Sequence, residues 1–250
     1  MSKLKLLTAS IGLAFAASAV AAPVELYIEQ NVASNAADDG TYTTEAGATI
    51  ETSEDGYVYI GFDDQGWLAA GYGYSFGLTD ALDLNLYGEL GKWETGEELL
   101  AEAILQYNIN DNFNVFGGYA YNRSGQVIEN LSDTSINTNK FIAGTGMTFG
   151  MFSLDYTYTH ENREGSNGGF THIGNEYYFS QDSYRTNEHE VILSAQIDDF
   201  TPYVKYTYFN TAEGTLFESN TGSNSMPVEN DSIWTLGLAY QSNPKVISKM

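Results

Sequence analysis

The chain has no cysteine, and its 33 Asp and Glu face only 10 Lys and Arg. Without cysteine there is neither a disulfide framework nor a thiolate metal site, so an exported form must be held by its backbone ladder and its packing. The shortage of basic residues gives a net charge of −23, which excludes a nucleic-acid partner because a phosphate backbone would be repelled. Also missing, beyond the N-terminus, is any apolar run approaching the ~18 residues of a membrane-spanning helix.

The N-terminal stretch "MSKLKLLTASIGLAFAASAVAA" has the three parts of a secretory signal. Lys3 and Lys5 form the basic start, Leu6 to Ala17 an apolar run too short for a spanning helix, and Ala19-Val20-Ala21 a small-x-small cleavage site. Cleavage is expected after Ala21, since a cut after Ala22 would leave Pro23 first. The expected division is therefore a signal peptide over 1–21 and a single domain over 22–250. An uncleaved anchor is the alternative. The exported chain is then either soluble or a β-barrel.

What the sequence has in abundance is two-residue alternation. In "MFSLDYTYTHE", Phe152, Leu154, Tyr156 and Tyr158 oppose Ser153, Asp155, Thr157 and Thr159. The same period recurs in "VELYIEQ", "YTTEAGATIE", "GWLAAGYGYSF", "ALDLNLYGEL", "FNVFGGYAYN", "KFIAGTGMTF", "HEVILSAQI", "PYVKYTYF" and "SIWTLGLAY". "GYVYIGF" over 56–62 is apolar on both sides and its faces are unassigned. "EELLAEAILQYNI" over 97–109 is rich in helix formers, so a helix is an alternative there. Its neighbours favour a strand, with Leu99, Ala101, Ala103 and Leu105 on one face and Glu102 and Gln106 on the other. The count is about twelve strands, with ten as the alternative, each near the roughly 9–11 residues a tilted strand needs to cross a bilayer.

From residue 76 onward, tight connections (77–80, 108–112, 149–151, 198–202) alternate with long polar ones (123–138, 162–187, 211–230). An up-and-down transmembrane barrel sorts its connections this way, with short turns on one rim and long loops on the other. A Greek-key sandwich has no reason to do so. The chain also carries 19 Tyr and 13 Phe. Many lie on the apolar face near strand ends (Tyr74, Phe76, Phe149, Tyr158, Tyr208, Trp234 and Tyr240 among them), where interfacial girdles sit. The fold expected is an all-β, up-and-down antiparallel transmembrane barrel.

The charges divide by face. Mid-segment positions on the apolar face carry almost none, as lipid requires. The other face carries Glu25, Glu29, Glu45, Glu51, Asp83, Glu89, Glu102, Asp155, Glu188 and Glu190, opposed by Lys140 and Lys205. A lumen lined by Glu45, Asp83, Glu89, Glu102, Lys140, Asp155, Glu188, Glu190 and Lys205 would repel anions and favour cations or neutral solutes. Inward Gly71, Gly73, Gly118, Gly144, Gly146 and Gly237 either leave room in that lumen or relieve crowding between strands.

With its leader, its alternating segments and its terminal "SIWTLGLAY", the chain resembles the Gram-negative outer-membrane β-barrel proteins of the porin or porin-like class. Its size and strand count are similar to the small twelve-stranded oligosaccharide porins, whose type is the oligogalacturonate channels. That resemblance implies an outer-membrane location, contact with outer-membrane lipid and lipopolysaccharide, small solutes as cargo, and the barrel assembly machinery as a folding partner. Tyr240 holds the place of the terminal aromatic which that machinery reads, although "QSNPKVISKM" follows it. The family's channels carry basic tracks for acidic sugars, whereas this lumen reads acidic, so their substrate is not carried over.

No enzyme is expected. His160 and His189 flank the loop 162–187 on the outward parity, and His172 lies within it. None stands in a pattern that pairs a base with a nucleophile. Asp38-Asp39, Glu54-Asp55 and Asp63-Asp64 lack calcium-loop spacing and read as solvated turns. No cofactor is implied. The function expected is passive diffusion of small hydrophilic solutes. The alternative is a non-conducting barrel that acts through its long loops in adhesion or surface recognition.

Overall fold

A computed structural model describes residues 22–34, 42–93, 96–125, 135–172, 175–181, 183–211, 216–219, 222–225 and 230–242. The expected signal peptide, the Asp38-Asp39 pair and the tail after Ser242 lie outside the described residues.

Twelve antiparallel strands close into a barrel. They are β1 (Val24–Ala33), β2 (Tyr42–Glu51), β3 (Gly56–Asp63), β4 (Leu68–Thr79), β5 (Leu82–Lys92), β6 (Glu97–Asn110), β7 (Phe113–Gly125), β8 (Ile136–Phe149), β9 (Phe152–Arg163), β12 (Tyr184–Ala195), β13 (Phe200–Thr211) and β16 (Asn230–Ser242). Each of the twelve candidate strand segments of the sequence is one of them. The helix-prone segment is strand β6, paired with β5 from Leu82↔Tyr107 to Lys92↔Glu97. Closure joins the first strand to the last, from Val24↔Ser242 to Ala33↔Ile233. It leaves no open edge, the condition under which a sheet can sit in lipid.

Asp80–Ala81, Asp111–Asn112 and Gly150–Met151 make the tightest turns of one rim. Gly150 has φ +67°, the left-handed conformation that a two-residue hairpin turn needs. The long connections gather on the opposite rim. Their alternation with short ones starts later than the sequence suggested, because β5 and β6 are joined on the long-loop rim by only residues 93–96.

Two of the long loops carry structure that their polarity hid. β10 (Ser166–His172) and β11 (Asn175–Gln181) form a hairpin in one, and β14 (Leu216–Ser219) and β15 (Gly222–Ser225) form one in the other. β11 pairs with β14, so the two loops share a separate four-stranded sheet.

Outside, the barrel presents the apolar parity. Leu68, Leu90, Leu105, Phe141, Leu193, Trp234 and Leu236 are all exposed large apolar side chains. Aromatic pairs mark both ends of this band. Tyr74 with Phe76, Phe149 with Phe152 and Phe200 with Tyr240 stand near the short-turn rim, at centroid distances of 4.6, 5.9 and 5.2 Å. Tyr206 with Trp234 stands nearer the other rim at 4.7 Å. A water-soluble protein would not leave such a band open, and aromatic girdles flanking it are the form it takes in a bilayer.

Candidate functional site: the barrel lumen

The inward parity of the strands builds the lumen, and its residues divide between two walls. The first is formed by β1 to β5, β13 and β16, and it is aromatic. Tyr27, Tyr57, Tyr59, Tyr87 and Tyr203 all point inward, so the faces of "GYVYIGF" are settled: Tyr57 and Tyr59 in, Val58 and Ile60 out. Each of these rings overlies a glycine or lies close beside one. An ideal Cβ on Gly47 would lie 2.5 Å from Tyr27 Cε1, and one on Gly61, Gly71, Gly73 or Gly237 would fall on Tyr59, Tyr87, Tyr57 or Tyr203 respectively. In the ladder Tyr27 faces Gly47, Tyr57 faces Gly73 and Tyr203 faces Gly237. Gly144 stands in the same relation to Phe116 on the other wall, and Gly118 to Ile104. The inward glycines therefore relieve crowding. They are seats for neighbouring side chains and do not widen the lumen.

The phenols of this wall are bonded to carboxylates. Tyr27 Oη donates to Glu45 Oε1 at 2.5 Å and lies 2.6 Å from Tyr59 Oη. Since Tyr27 has one proton, Tyr59 is the donor in the second contact. Tyr203 donates to Glu29 at 2.7 Å, and Tyr87 to Glu89. Glu29, nearly buried, also pairs with Lys205 at 3.3 Å. Tyr27, Tyr59, Tyr203, Glu29, Glu45 and Lys205 border a cavity of about 480 Å³ that also takes in Glu25, Thr49 and Ser194.

The second wall, from β6 to β9 and β12, is charged. Glu102, Glu188, Glu190, Lys140 and Glu161 border a cavity of about 470 Å³ together with Gln106, Ile104 and Ile142. Lys140 Nζ pairs with Glu161 Oε1 at 2.6 Å. Thr207 Oγ1 reaches Glu190 at 3.5 Å. Toward the short-turn rim, Asp83 accepts from Asn108 Nδ2 at 3.2 Å. Asp155 lies opposite Gly146 and Ile192, on the inward parity.

All nine residues singled out in the sequence thus project into the lumen, but not into one cluster. Glu45 and Lys205 border the first cavity, Glu102, Lys140, Glu188 and Glu190 the second, and Asp83, Glu89 and Asp155 lie outside both. The sequence reading missed the partners. Glu161 is the counter-ion of Lys140, Glu29 that of Lys205, and the tyrosines form a wall. Inward parity alone put Tyr27 and Tyr87 beside acids. Their seating on glycines needs the cross-strand register, which no single segment displays.

His160 and His189 lie on the outward parity of β9 and β12. His160 Nδ1 bonds Asn187 Oδ1 at 2.8 Å, and His189 Nδ1 bonds Tyr156 Oη at 2.9 Å. They share an outward patch without contacting each other. Among the described residues no group of three or more His, Asp or Glu is arranged to hold a metal ion. Asp63 organises the β3–β4 turn, accepting from the backbone N–H groups of Gln65 and Trp67 at 2.8 Å each.

No family model matches the sequence, and no curated protein matches it. Solved structures do match. The NanC porin superposes with a TM-score of 0.63 at 11% identity, over 86% of this chain and 98% of its own. The KdgM porin in complex with disordered oligogalacturonate gives 0.57 at 8% identity, over 88% of this chain and 99% of its own. At these identities the likeness is one of fold: a closed twelve-stranded barrel of the kind found in small porins.

Proposed function

We propose that the chain is an outer-membrane channel for passive diffusion of small hydrophilic solutes, with cations favoured over anions. The observation that carries this reading is the charge balance of the inward face. Its two lysines of the mid-barrel, Lys140 and Lys205, are each held by a carboxylate. Among the described residues, no ion pair reaches Glu25, Glu45, Glu89, Glu102, Glu188, Glu190, Asp83 or Asp155, which lie on the inward parity. Carboxylates fixed in a narrow watered passage concentrate cations and repel anions. A closed barrel with an apolar outer band and aromatic girdles supports the membrane setting, and the porin neighbours support the channel class. One of those neighbours was solved with oligogalacturonate. The acidic lumen here argues against a polyanion as cargo.

On the same reading, segment 1–21 is a cleaved export signal, and lipid, lipopolysaccharide and the barrel assembly machinery are the partners of the outer surface and of the strand ending near Tyr240. Reconstitution of the purified chain in planar bilayers tests the channel. Discrete conductance steps in potassium chloride are expected, and their absence would overturn it. A second reading has its own support: the joint sheet of β10, β11, β14 and β15 gives the loops a structured surface suited to recognition. A barrel without conductance whose loops bind a surface partner would favour that reading.

A further inference from the structure

The cavity on the aromatic wall offers carboxylate acceptors and ring faces, and its uncommitted donors are few: the hydroxyls of Thr49 and Ser194 and one N–H of Lys205. Tyr59 donates to Tyr27, Tyr27 to Glu45 and Tyr203 to Glu29, so the single proton of each phenol is engaged. The Lys205 ammonium is turned to both oxygens of Glu29, at 3.3 and 3.4 Å. Thr201 donates to Gln196. Against this stand the second oxygen of Glu45 and the whole carboxylate of Glu25, which is exposed and has no hydrogen bond to another described residue.

The rings are disposed to match. The rings of Tyr27 and Tyr59 lie nearly parallel, 9° apart with centroids at 6.3 Å. Each ring lies against a glycine, and both border the cavity. A phenol that donates to a carboxylate has an electron-richer ring, and the face of such a ring attracts cations.

Three ligand classes can be weighed against this inventory. A carboxylated sugar needs donors and meets carboxylates. A neutral sugar brings donors and acceptors in equal measure, and its acceptors find few partners. An organic ammonium or guanidinium ion brings donors only, carries the right charge, and has a surface that suits a ring face.

We infer that the cavity bordered by Glu25, Glu45, Tyr27, Tyr59 and Tyr203 is a binding site for small organic cations bearing N–H donors. This rests on the channel reading for its biological sense, since it names the solute class the lumen would select. The physical site stands independently of conductance.

Isothermal titration calorimetry of the full chain in detergent, with agmatine as the probe and raffinose and galacturonate as comparators, tests it. Saturable binding of agmatine is expected, weakened about tenfold by Glu45→Gln and by Tyr59→Leu, as the loss of a charge-assisted bond or a ring face implies. Tyr59→Phe keeps the ring and is expected to keep most of the affinity. It guards against mistaking a damaged fold for a lost site, and heat-modifiable migration checks each variant. Glu102→Gln, on the other wall, is expected to weaken binding far less than Glu45→Gln. No saturable binding, equal loss in both glutamine variants, or tighter binding of raffinose or galacturonate would overturn the site. A chain that binds agmatine in this pattern but conducts no ions would leave the site standing and remove the channel.

Discussion

Gly73 and Tyr57 occupy one place between them, because a side chain on the glycine would fall on the ring. Gly73→Val is expected to destabilise the barrel by about 1–3 kcal/mol, the usual cost of overpacking. Combined with Tyr57→Ala it should cost clearly less than the sum of the two single changes, since the second change vacates the space the first requires. Urea unfolding from lipid vesicles measures the cycle, and plain additivity would contradict the seating. Lys205 illustrates a different kind of pairing. Its ammonium neutralises Glu29, so Lys205→Gln adds one uncompensated carboxylate to the lumen. The cation-to-anion permeability ratio should rise, read as a larger reversal potential in a potassium chloride gradient. An unchanged ratio would mean that the residue does not face the ion path, and a fall would contradict the charge argument.

Along each strand, neighbouring residues meet different solvents. Leu236, near the middle of β16, is exposed outward and faces lipid on this account, while Gln106 of β6 borders the second cavity. Leu236→Arg should cost roughly 2–4 kcal/mol in the unfolding free energy from a bilayer, as a midplane arginine does. Gln106→Arg should cost much less and should lower cation selectivity.

The loop hairpins are independent of this ladder. Deleting 213–228, which removes β14 and β15, should leave heat-modifiable migration and conductance steps intact. Loss of the folded band would show that the outer sheet is needed to hold the barrel.

All twelve barrel strands were legible because a period of two survives wherever one face is apolar. The faces of "GYVYIGF" were not, since its inward side is tyrosine and glycine. The hairpin strands of the loops are short, four to seven residues, and lack that contrast. The ion pairs were out of reach because Lys140 and Glu161 meet only through the register of β8 and β9.

At the scale of the molecule, one closed sheet separates two solvents, and the charge follows. The outer band is apolar and edged with aromatics, and the interior holds most of the charge of the strands, arranged as an aromatic wall facing a charged one. On the proposed channel function, a chain of net charge −23 that holds Lys140 and Lys205 in ion pairs is expected to pass cations ahead of anions. The reversal potential of the reconstituted full chain in an asymmetric potassium chloride gradient tests this most directly. The expected sign is that of potassium moving down its gradient ahead of chloride. A zero potential, or one of the opposite sign, would contradict the account.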